Sequence, residues 1–162
     1  MSNMNGSWEL CQYLHWNGET ESDGDDSEIR SWLCGSDDIS IDDFNESTGL
    51  QLNLRDGAFS ERGADFCQLM FDTEGIQVND YRPMSGRVLF DGRVGSLIPD
   101  GVPEYSLPYP VGIALRYGDG DTKVCDTIRL INDSLVRQLS VVTDELYLDR
   151  IVLVYGRVDA VA

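Results

Sequence analysis

Basic side chains are scarce in this chain. Its 162 residues hold 12 lysines and arginines against 29 aspartates and glutamates, a formal net charge of −17. Such a field repels phosphate backbones and anionic bilayer surfaces at long range, so neither nucleic acid nor a membrane is an expected partner. Lys123 is the sole lysine; salt adaptation and a GC-rich genome produce that bias alike. The sole histidine, His15, falls by simple alternation on the outer face of a strand. Ser-His-Asp or Cys-His catalysis and multi-histidine metal or haem sites then have little to build on. Cys11, Cys34, Cys67 and Cys125 are widely spaced and form no C-x-x-C, so neither a zinc site nor a redox dithiol is signalled, and reduced, packed thiols are expected. No run of 18 apolar residues occurs, and the start, Met1 to Gly6, lacks the basic and apolar regions of a secretory signal. These absences lead to the expectation of a soluble, cytoplasmic protein. No glycine-rich loop opens a helix, since Gly118 and Gly120 join two strands, and no phosphate cradle follows.

What the chain does have is alternation of period two. From Val111 to Arg157 it reads as a four-strand antiparallel meander. Val111, Ile113, Leu115 and Tyr117 alternate with small or polar residues, a turn follows at Gly118 to Asp121, and Val124, Ile128 and Leu130 resume the pattern. A second turn at Asn132-Asp133 sets Leu135 near Leu130, and a third near Asp144 brings Leu148 opposite Val141. With that register one face collects most of the aliphatic residues, Leu139, Val152 and Val154 among them, together with Asp126, Arg137 and Arg150.

Further strands are expected at Trp8 to Trp16, Leu50 to Leu54, Ala64 to Phe71, Ile76 to Asn79 and Gly86 to Val94, with a short one at Ile29 to Cys34. In the first of these, Trp8, Leu10, Gln12, Leu14 and Trp16 share the inner face. The acidic stretch Glu19 to Glu28 reads as a solvated loop; it lacks the spaced ligands and terminal Glu of an EF-hand, so no metal site is assigned. The expected fold is all-β, residues 1–162 forming a single antiparallel up-and-down barrel of about eight to ten strands with little helix. Closure removes the exposed edges that a sheet of this size would otherwise present. A two-sheet sandwich is the alternative.

Two features point to a site. The stretch Ile98 to Pro110 holds four of the five prolines with Tyr105 and Tyr109, a stiff loop suited to the mouth of a barrel. Asp126, Arg137 and Arg150 are charges on an apolar face. Buried without partners they would cost several kcal/mol each, so they pair with one another, with water or with a ligand. Two guanidiniums against one carboxylate leave an excess of positive charge. That excess would hold the acidic or carbonyl end of an otherwise apolar ligand, or it would belong to an ion-pair network that fills the barrel. Asp126, Arg137 and Arg150 are thus the polar or catalytic candidates, and Trp8, Gln12, Trp16, Tyr105, Tyr109, Ile113, Leu115, Tyr117 and Leu139 the candidate ligand wall.

Gly6-Ser7-Trp8 at the start of the first strand, with Arg157 closing the last, resembles the lipocalin and calycin signature, in which a G-x-W tryptophan packs under an arginine from the end of the barrel. The chain looks most like compact bacterial lipocalin-like barrels, including phycobiliprotein chromophore lyases. The resemblance implies an apolar or tetrapyrrole ligand, with fatty acids and polyenes as other occupants; no cofactor is expected, and the last strand, Tyr147 to Arg157, has no histidine to hold a haem. Three functions follow from these readings. The first is a small-molecule-binding barrel. The second is a cyclase or lyase that templates its ligand, with Arg137 or Arg150 polarising a carbonyl and Asp126 orienting them. The third is an acidic module that meets a basic protein partner or a second copy of itself.

Overall fold

A computed structural model describes residues 4–19, 32–33, 45–46, 50–62, 84–100, 104–105, 113–114, 122–143 and 146–158. Its strands are β1 (Gly6–Glu19), β2 (Asn45–Glu46), β3 (Gln51–Arg55), β4 (Ala58–Arg62), β5 (Met84–Asp91), β6 (Val94–Pro99), β7 (Glu104–Tyr105), β8 (Ile113–Ala114), β9 (Thr122–Ile131), β10 (Ser134–Thr143) and β11 (Tyr147–Arg157). Eight of them pair in the cyclic order β1-β3-β4-β5-β6-β9-β10-β11 and back to β1, all antiparallel, which closes an up-and-down barrel. The expected barrel is the fold found. No helix among the described residues is long and apolar enough to cross a membrane.

The two ends of the barrel differ. At one, β3–β4, β5–β6 and β9–β10 are joined by two-residue turns in which Asp56, Gly57, Gly92 and Asn132 take positive φ. Asp56 and Gly57 both do so, the conformation whose twist matches that of a hairpin. The strand ends joined by the long connections β1 to β3, β4 to β5 and β6 to β9 all lie at the other end. There β8 pairs with β9 at Ala114–Val124, beyond the stretch where β6 pairs with β9.

The tight-turn end is plugged by Trp8, which is buried to 1% exposure. Its indole Nε1 donates to the Met4 carbonyl at 2.9 Å, and the Arg157 guanidinium lies over its ring at 4.3 Å. Arg157 also donates from Nη1 to the Asn5 carbonyl at 2.8 Å. Gly6 is required here: its φ is +137°, and a Cβ would stand 2.8 Å from Arg157 Nη1. Above this plug the lumen is filled by Leu10, Leu52, Leu135, Leu139, Ile128, Ile151 and Leu153, all at or below 1% exposure.

Several local expectations are corrected. β1 carries a bulge between Leu10 and Gln12, where its register against β11 slips by one residue. Trp8 and Leu10 point inward before it; beyond it Tyr13 packs on the core, and Gln12, Leu14 and Trp16 turn outward, with Trp16 42% exposed. Gln12 and Trp16 therefore lie on the outer face, not on the inner face expected of them. The final hairpin pairs Val142 with Leu148, and Val141 with Asp149, one residue away from the expected register. Ile151, Leu153 and Tyr155 consequently face the core, while Arg150 lies on the outer face. The physical reason is that Ile151 to Tyr155 is buried on both faces, so its hydrophobic pattern holds no information about which face is which. Gly86 to Val94 is not one strand but β5 and the start of β6, broken at Gly92-Arg93, and Ile98 and Pro99 belong to β6 rather than to a loop. Trp32 and Leu33 are helical rather than extended. The strands expected at Ala64 to Phe71 and Ile76 to Asn79 lie outside the described residues, as do Tyr109, Leu115 and Tyr117.

Candidate functional site

Asp126 and Arg137 face each other inside the barrel because the Asn132-Asp133 turn pairs Ile128 with Arg137 and Asp126 with Leu139. Arg137 has no exposed surface and Asp126 only 3%. The guanidinium donates from Nε to Asp126 Oδ1 at 2.9 Å and from Nη2 to Oδ2 at 2.7 Å, a bidentate fork. From Nη1 it reaches Glu61 on β4, also buried. In the cyclic order β10 and β4 stand four strands apart, directly across the barrel. The ion pair therefore braces opposite walls through the lumen, and at that level the interior is occupied by charge.

Glu61 was missing from the sequence reading because β4 was not recognised. Ala58 to Arg62 has only Phe59 as a large apolar residue, and the period-two signal that would place Glu61 beside it is one residue long. The Asp56-Gly57 turn after the clear strand β3 was the available clue, since it demands a partner strand in which Phe59 opposes Leu54 and Glu61 opposes Leu52.

The expected pairing of one carboxylate with two guanidiniums is not the one found among the described residues. Among the described residues, Asp126 and Glu61 meet the Arg137 guanidinium inside the barrel, and Arg150 is outside. Burial works against the charge of Arg137, but Asp126 and Glu61 outweigh it and hold its pKa well above the ordinary arginine value. Tyr155, on the inner face of β11, is pushed up to about 12, mainly by burial, with Arg137 pulling the other way.

Arg150 belongs to a separate outer cluster. Cys125, Ser140, Arg150 and Trp16 form one row across β9, β10, β11 and β1. Arg150 Nε donates to Ser140 Oγ at 3.2 Å, Nη2 donates to the Trp32 carbonyl, and the guanidinium stacks 4.0 Å from the Trp32 ring centre. Trp32 and Leu33 cover Cys125, Val142 and Leu148. Burial lowers the Arg150 pKa. This cluster fastens a helical turn to the barrel wall.

Of the remaining candidates, Trp8 and Leu139 are in the core. Tyr105 and Ile113 pair with each other in the β7–β8 ladder, and their side chains lie outside the described set. His15, expected outside, is carried inward by the β1 bulge: it pairs with Ile151 on β11 and its Nε2 lies 2.9 Å from Asp149 Oδ1. Among the described residues no group of three or more His, Cys, Asp or Glu side chains is placed to hold a metal ion.

The fold and this interior define the class: a closed eight-strand antiparallel β-barrel with a plugged end and a charged brace across its lumen. Compared with known protein families, curated proteins and solved structures, the chain matches none of them.

Proposed function

We propose that the chain is a lipocalin-like barrel that holds one small, largely apolar molecule at the end opposite the Trp8 plug. Eight-stranded barrels enclose an interior that side chains either fill or share with one small ligand. The observation that carries the reading is the Gly6-Trp8-Arg157 closure, in which a tryptophan under a cation seals one end while the long connections converge on the other. Tetrapyrroles, polyenes and long-chain alcohols or amides are the ligand classes that suit such a barrel.

Thermal denaturation with a bilin, a retinoid and a fatty acid, each beside its alcohol or amide, tests this. A ligand at one hundred times its Kd should add about 2.7 kcal/mol of stability. A melting temperature unmoved by every probe would overturn the reading, and conversion of a probe during the assay would place the barrel among enzymes instead.

A further inference from the structure

The β1 bulge sets a second polar site on the inner wall, above the Arg137 brace and toward the end where the long connections join. Without the extra residue at Cys11, alternation from Trp8 and Leu10 would put His15 outside; with it, His15 follows Tyr13 on the inner face. Asp149 reaches the same face from β11, opposite Val141 of the core. The two side chains meet at 2.9 Å, Nε2 to Oδ1, with 18% and 29% of their surfaces exposed. The Asp149 carbonyl accepts a bond from Trp32 Nε1 at 3.4 Å, which ties this point of β11 to the helical turn outside.

The chemistry follows from the tautomer. A carboxylate only accepts, so in the neutral imidazole Nε2 carries the proton and donates it to Asp149, which leaves Nδ1 as an acceptor with a lone pair. Among the described residues nothing bonds to Nδ1. Nδ1 is thus a partly exposed acceptor on the inner wall, held in orientation by Asp149.

We propose that His15 and Asp149 form the polar anchor of the ligand site, with His15 Nδ1 accepting a hydrogen bond from an O–H or N–H group of an otherwise apolar molecule. The inference rests on the binding reading above and names the polar end of that ligand. The dyad then fixes the depth at which the ligand's polar end sits. Asp149 is a positioning residue, acting through His15.

Because His15 is the sole histidine, nitrogen-15 NMR of the imidazole reports this site without assignment. The probes are decanol, decyl methyl ether and decane, which share an apolar body and differ in whether the end donates, only accepts or is absent. Decanol should shift the Nδ1 resonance toward that of a hydrogen-bonded acceptor, and the ether and alkane should not. Decanol should also bind roughly three- to tenfold more tightly than the ether, the worth of one hydrogen bond. In His15→Phe the two should bind alike, with the ether's affinity unchanged. An Nδ1 signal that stays in place under saturating decanol, or equal affinities in the unsubstituted protein, would overturn the anchor while leaving the binding barrel standing. Failure of all three probes to bind would overturn the barrel reading as well. The NMR measurement needs no variant, so it decides even if His15→Phe does not fold.

Discussion

Replacing Arg137 by methionine keeps most of the side-chain volume and removes the guanidinium that joins Asp126 to Glu61. Two carboxylates, Asp126 and Glu61, each 3% exposed, would then lose their bonds to that guanidinium. Breaking a buried pair by deleting one partner costs about 3 to 5 kcal/mol, a large share of the roughly 5 to 15 kcal/mol that holds a domain folded. The geometry also ranks the other deletions. Asp126→Asn loses the charge behind the bidentate fork and should cost about 2 to 4 kcal/mol, whereas Glu61→Gln leaves the fork between Arg137 and Asp126 intact and should cost only about 1 to 2 kcal/mol. Replacing Glu61, Asp126 and Arg137 together by apolar residues of similar volume should recover most of the loss, since desolvation of all three charges disappears with them. Urea denaturation followed by tryptophan fluorescence, with the slope checked for constancy, measures each midpoint. The reasoning is refuted if Arg137→Met is as stable as the parent, or less damaging than Glu61→Gln.

Tyr155 provides a pH test. Its hydroxyl is fully buried with a pKa near 12 against an ordinary 10, so the folded state holds its proton more tightly than the unfolded chain does. The stabilisation is fully present below pH 10 and is lost as pH rises from about 10 to 12, a span worth about 2.7 kcal/mol. Tyr155→Phe should flatten that part of the alkaline limb, and an unchanged limb would show that Tyr155 ionises without unfolding cost. Gly6→Ala should destabilise by about 1 to 3 kcal/mol through its positive φ and the clash with Arg157, and Gly6→Ala combined with Arg157→Met should lose less than the sum. Trp32→Ala should cost about 1 to 3 kcal/mol and open the outer cluster, so that thiol labelling read by mass spectrometry finds Cys125, slow in the parent beside exposed Cys11, accelerated in the variant.

The parts of the fold that could be read in the sequence are those where one face is wet and the other dry. β9 and β10 alternate cleanly around an Asn132-Asp133 turn, and the expected pairing of Leu130 with Leu135 is the pairing found, which is why Asp126 and Arg137 could be placed together. Trp8 under Arg157 was legible because a tryptophan at a strand start and an arginine at a strand end needed only closure to meet. Arg150 was misplaced because β11 is dry on both sides, and a one-residue slip there leaves the hydrophobic pattern equally good. His15 was misplaced by an inserted residue whose effect is invisible without its partner strand: nothing in Leu10-Cys11-Gln12 announces a bulge. Glu61 sits in a strand too short to show a period. Both errors and the omission bear on the site because polar groups inside a barrel depend on register, and register is a property of two strands.

The ladder between β6 and β9 pairs at Gly95–Ile128 and Ser96–Thr127, whereas β1 and β11 run together from Trp8–Arg157 to Glu19–Tyr147. The cylinder is thus stitched unevenly. Local opening takes the path that breaks the fewest backbone bonds, so the amides along this short seam should exchange with solvent before those of β1 and β11. A wall that parts there would admit a small molecule sideways, between Ser96 and Thr127, without passing the end where the long connections join. The rate of uptake would then follow the breathing of two strands instead of the motion of any loop, and a disulfide bridging β6 to β9 would slow association while leaving equilibrium affinity nearly unchanged.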